Sequence, residues 1–148
     1  MKKISLMFSA LLLSMAANGF AAEGMEHMHQ HNTMDNRISL NLSPEMKQHQ
    51  LSNMRSHVKA VQSIVGLLSA GNFDQAAQVA HSQLGLTDEM KKMCSSFQNE
   101  KFNQLGLAFH KSGDNLGDVL QSKNMSKSLQ ALHDTMNYCV ECHATFRQ

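Results

Sequence analysis

Three side chains near the C-terminus can act together: the thiols of Cys139 and Cys142 and the imidazole of His143, in the run Cys139-Val140-Glu141-Cys142-His143. On a helix of 3.6 residues per turn they fall within an arc of roughly 100°, so all three can address one flat ligand. Cys-x-x-Cys-His is the attachment sequence for c-type haem, in which each thiol bonds a porphyrin vinyl group and the adjacent imidazole binds the iron. Two other chemistries use part of the run. A dithiol redox pair usually sits near a βαβ pattern, whereas these flanks have a helical pattern. A structural zinc ion takes four ligands, and no second cysteine pair or suitably spaced histidine pair accompanies this one.

Such a motif works only in a compartment where haem c is attached. The first residues read as a secretory signal: Lys2 and Lys3, a mostly apolar run from Ile4 to Ala17 too short to span a bilayer, then Gly19-Phe20-Ala21 as a small-x-small cleavage site. Residues 1–21 are expected to be removed. The remainder is then periplasmic, with no membrane insertion after cleavage. No cysteine follows the apolar run, so a lipoprotein anchor is not expected. Loss of Lys2 and Lys3 leaves 11 basic against 12 acidic residues, a net charge of −1. That balance argues against nucleic acid and against an anionic membrane surface as partners. Aromatic residues are 5% of the chain and Trp is absent, which leaves room for a macrocycle in the core.

The elements that must position the motif are helical. Residues 22–42 read as a flexible segment rich in His and Met, with Met25, His27, Met28, His29, His31 and Met34. These are also the side chains a copper or nickel site would use. Residues 43–148 read as an all-α domain, an antiparallel four-helix bundle. Ser43-Pro44 is a helix start, and the first helix runs to about Ser69 with Gly71 as its stop. Its apolar line is Leu51, Met54, Val58, Val61, Val65, Leu68. Asn72 and Thr87 can cap the two pieces of a broken second helix, interrupted at Gly85. The third runs from about Glu100 to Gln121 along Phe102, Leu105, Phe109, Leu116 and Leu120. The fourth starts near Asn124–Ser126, and its line Met125, Leu129, Leu132, Met136, Cys139, His143, Phe146 passes through the motif. His57, His110 and His133 are expected at the surface or rim. Cys94 is expected as a buried free thiol.

This arrangement resembles the cytochrome c′ family, the class II c-type cytochromes. They carry Cys-x-x-Cys-His near the end of the fourth helix of a bundle, often followed by an aromatic residue and a base. Here Phe146-Arg147 follows the motif. The resemblance covers roughly residues 43–148. It implies one haem c bonded to Cys139 and Cys142, His143 as the proximal iron ligand, and Arg147 near the proximal side. In that family the sixth position faces the first helix. Met54 lies there and is followed by Arg55, as a basic residue often follows the family's ligand Met. Gln50 stands one turn earlier, where the family usually has Arg. Family members often dimerise through their first two helices, so a homodimer is implied as well.

The expected function is single-haem electron transfer between periplasmic redox proteins, with His143 and Met54 as iron ligands. No paired carboxylates and no nucleophile constellation accompany the motif, so no enzymatic reaction is expected. Two alternatives stay open. One is five-coordinate haem binding nitric oxide or carbon monoxide, with Met54 merely lining the pocket. The other is copper handling through the His/Met-rich segment.

Overall fold

The computed structural model describes residues 34–148. The expected signal peptide and most of the His/Met-rich segment lie outside the described residues. Residues Asp35–Gln148 form one compact unit. It is predominantly helical, as the all-α reading required, and comprises β1 (Ile38–Ser39), α1 (Pro44–Ser69), α2 (Phe73–Val79), α3 (Asp88–Cys94), α4 (Glu100–Leu120), α5 (Met125–Thr145) and β2 (Phe146–Arg147). No helix among the described residues is long and apolar enough to cross a membrane.

Local chemistry accounts for the helix ends. The Ser43 hydroxyl accepts from the Met46 amide at 3.3 Å, with Pro44 in the first turn. Thr87, Asn99 and Asn124 cap α3, α4 and α5 in the same way, accepting from the third residue on. Gly71, at φ 73°, takes the left-handed conformation after α1 that a side chain would resist. Asn72 precedes α2 without a side-chain cap bond.

The second helical region is less regular than a single break at Gly85. It passes from α2 into a π-helical turn, Ala80–Leu84, before Gly85 separates it from α3. This turn lies against α4, and Gly113 is the reason it can. A Cβ at Gly113 would run into the Leu84 carbonyl, and one at Gly117 into the His81 ring. These two glycines serve close approach, and α4 continues unbroken through them. The His81 ring lies between Asp114 and Asp118, at 3.3 and 3.4 Å, and the Leu86 amide donates to Asp114 at 2.9 Å. These contacts tie the π turn to α4.

α4 packs on α5, α2 and α3, and α1 on α2 and the π turn. The buried faces of α1 and α5 follow the expected lines only at Leu68 and Leu132. On α1 the buried residues are Gln50, Ala60, Ile64 and Leu68, while Val58 and Val65 are exposed. On α5 they are Ser128, Ala131, Leu132 and Thr135, while Met125, Leu129 and Met136 face out. In both helices the face toward the interior mixes small or polar residues (Gln50, Ala60, Ser128, Ala131, Thr135) with a few large apolar ones (Ile64, Leu68, Leu132). Alanine and serine let neighbouring helices approach, and other bulky side chains fall on the flank.

The chain ahead of α1 is also part of the fold. Ile38 pairs in parallel with Phe146 and Ser39 with Arg147, and the Leu40 amide donates to the Arg147 carbonyl at 3.0 Å. The folded unit therefore begins at Asp35, before the expected boundary at residue 43.

Candidate functional site

One apolar cavity of about 290 Å³ gathers most of the chemistry-bearing side chains. α5 contributes Cys139, Cys142 and His143 to its wall, and α1 contributes Met54. Thus four of the five residues singled out in the sequence meet at one site. Arg147 does not line it. That side chain is exposed on β2 and approaches Asp35 at 3.8 Å. Phe102, Leu105 and Phe109 from α4, with Met90 and Met93 from α3, supply apolar wall. The volume lies at the low end of the ~300–1,000 Å³ typical of small-molecule sites. One side opens to solvent, where Val58 is 70% and Met136 43% exposed and His143 is exposed.

The two thiols are half-buried. Burial, then Cys139 and Glu141, push the Cys142 thiol up to about 11. Burial raises Cys139 as well. A dithiol that reacts by exchange needs a lowered pKa, which stabilises the thiolate. This pair stays protonated at neutral pH.

Two histidines missed as site residues form the inner wall. His110 is 4% exposed, not at the surface. Its Nδ1 lies 2.9 Å from the Leu84 carbonyl. A carbonyl only accepts, so in the neutral ring the proton is on Nδ1 and Nε2 carries the lone pair. His57, expected at the rim, packs its ring on Phe109 at 4.9 Å and edge-on to His110 at 5.4 Å. The signal for His110 was available on α4, where Gly106, His110, Gly113 and Gly117 form a second row at helical spacing. Gln50, one turn before Met54, is 5% exposed and also lines the cavity. His133 is exposed, as expected, and Cys94 is a buried free thiol.

Burial, followed by His110, depresses the His57 pKa from 6.5 to about 4. Burial also lowers His110, against the Leu84 carbonyl, which favours its charged form. Above about pH 6.5 neither the folded nor the unfolded chain protonates His57. Between 6.5 and 4 the unfolded chain takes up a proton that the folded chain refuses, so stability falls with pH across that window and levels off below it. Thermal melts at pH 7 and pH 5 are expected to show a drop that His57→Phe reduces. An equal drop in that variant would remove His57 from the account.

Comparisons with protein-family models, curated proteins and solved structures return no match for this chain.

Proposed function

We propose that the protein is a periplasmic c-type cytochrome, an antiparallel four-helix bundle of cytochrome c′ type that carries one haem c and transfers single electrons. One observation carries this reading: two protonated thiols, an adjacent imidazole and, on another helix, a thioether all reach one apolar cavity. The donor set fits the group. Cys139 and Cys142 would hold the macrocycle, His143 the iron on one side, and Met54 the iron on the other. The apolar wall from α3 and α4 suits a porphyrin face, as no Asp, Glu, Lys or Arg lines the cavity.

Bound there, the haem supplies a one-electron Fe(III)/Fe(II) couple. The protein's part is to fix ligands and exclude water. A soft thioether from Met54 favours Fe(II) and raises the potential relative to two imidazoles. Phe102, Leu105 and Phe109 keep the wall dry, and a low-dielectric wall disfavours the additional charge of the ferric centre. His57 and His110 remain neutral at pH 7 and add no charge to either state. Val58 and Met136 flank the open side, where an edge of the cofactor would face a redox partner. Gas binding at five-coordinate iron is the second reading, and buried Gln50 favours it: its amide can donate to a ligand at the sixth position.

The test is a denaturing gel of the exported protein stained for haem peroxidase activity. A stained band at the position of the chain is expected, because only covalent haem survives denaturation. An unstained band from cells competent in haem attachment would end this reading.

A further inference from the structure

The short segment ahead of α1 reaches back to the far end of the chain, and it does so at His143. Arg37 Nη1 donates to the His143 carbonyl at 3.2 Å. Arg37 is itself gripped by Asp35. Nε and Nη2 each donate to one carboxylate oxygen at 2.9 Å, and the Arg37 amide donates to Oδ1 at 3.1 Å. The fork-to-fork pair fixes the plane of the guanidinium and leaves Nη1 directed at the carbonyl.

That carbonyl needs a partner. The last four carbonyls of a helix have no amide one turn ahead, and α5 ends at Thr145. The Phe146 amide takes the Cys142 carbonyl. The next one, on His143, is taken by Arg37, across 106 residues of sequence. Immediately beyond, β1 holds Phe146 and Arg147 in register. Phe146 is buried and meets the Phe102 ring edge-on at 5.2 Å, and Phe102 lines the cavity. The segment therefore bears on the site by two routes: through the backbone of His143, and through Phe146 and Phe102.

We propose that Arg37, oriented by Asp35, is a positioning residue for the proximal ligand: it ties down the His143 carbonyl and so fixes where the end of α5 presents the imidazole to the cavity. This rests on the haem reading for the role of the imidazole. Arg37 neither touches the iron nor reacts. It restricts the backbone that carries the ligand, which a solvated surface arginine would not do. The pair itself is exposed, so its contribution to global stability is small. Its effect is local, at the last turn of α5.

The experiment uses the full exported protein and three variants, Arg37→Ala, Arg37→Lys and Asp35→Asn. Two readouts are taken: amide hydrogen exchange through Ala144–Phe146, and the paramagnetically shifted His143 ring resonances of the ferric protein. Arg37→Ala is expected to speed exchange at those amides about tenfold, the loss of one charge-assisted hydrogen bond, and to move the His143 resonances while the melting temperature holds. Arg37→Lys restores charge with a single donor and not the fork, so it should recover exchange in part and leave the ring signals displaced. Asp35→Asn should fall between Arg37→Ala and the parent. Faster exchange with unmoved His143 resonances would make the segment a mere clasp and overturn the proposal. So would exchange unchanged in Arg37→Ala. A parent protein without haem would end the proposal together with the haem reading, whereas a stained parent with unmoved His143 signals ends the proposal alone.

Discussion

Replacing Met54 with Ala is expected to convert the ferric protein from a low-spin to a high-spin spectrum, with complete loss of the weak far-red sulfur-to-iron band. The reduction potential should fall, because the thioether stabilises Fe(II) more than water or an empty position does. Carbon monoxide should then bind the ferrous protein without having to displace a side chain. Met54 is half-buried on α1 and lines the same cavity as Cys139, Cys142 and His143. A methionine in a cavity wall is otherwise ordinary packing, so the control is His57→Ala. His57 lies one turn further along α1 and also lines the cavity, with a neutral ring able to bind iron. If His57→Ala abolishes the low-spin spectrum and Met54→Ala does not, the sixth ligand is the imidazole. A high-spin parent spectrum, unmoved by Met54→Ala, would favour the five-coordinate gas-binding reading with Gln50 as the nearby donor.

Much of this site was legible in the sequence because its signals are local. The helix starts were given away by Ser43-Pro44, Thr87 and Asn124, whose side chains accept from amides three residues on. The motif sits within one turn and a half of α5. The row Leu105, Phe109, Leu116, Leu120 is buried as its spacing demanded. Where large apolar residues mark the packed face, periodicity finds it.

The same rule misled on α1 and α5. Their packed faces keep Leu68 and Leu132 from the expected lines and Ile64 beside them, but otherwise carry Gln50 and Ala60, and Ser128, Ala131 and Thr135, so much of the apolar stripe pointed to the flank instead. Thr135 shows what the inner face of α5 asks for: its hydroxyl donates to the Ala131 carbonyl at 3.0 Å and lies 3.2 Å from the Ser112 carbonyl on α4. The burial of His110 was signalled only by the glycine row of α4, because the partner of its ring, the Leu84 carbonyl, lies at the end of a π turn that no spacing announces. The pairing of Ile38–Ser39 with Phe146–Arg147 is too short to alternate, and its partners lie at opposite ends of the folded unit. Contacts of that kind become visible only once the helices bring the ends together.

The largest effect is expected from removing both thiols. In the Cys139→Ala, Cys142→Ala double variant the haem-stained band should disappear entirely, while either single variant keeps one thioether and stains more weakly. The melting temperature of the double variant should fall well below that of the parent. The apolar walls from Phe102, Leu105, Phe109 and Met93 would then face each other across the cavity without the surface that buries them, and apolar burial stabilises by about 25 cal/mol per Å². The dithiol reading makes the opposite prediction. There the parent is colourless, the two thiols titrate with alkylating reagents, and deleting them leaves stability nearly untouched. The raised pKa of Cys142 already works against that reading, since a thiol near 11 gives little thiolate at neutral pH. A stained double variant would mean that the macrocycle, if present, is held by something other than this pair, and the role assigned to α5 would have to be abandoned.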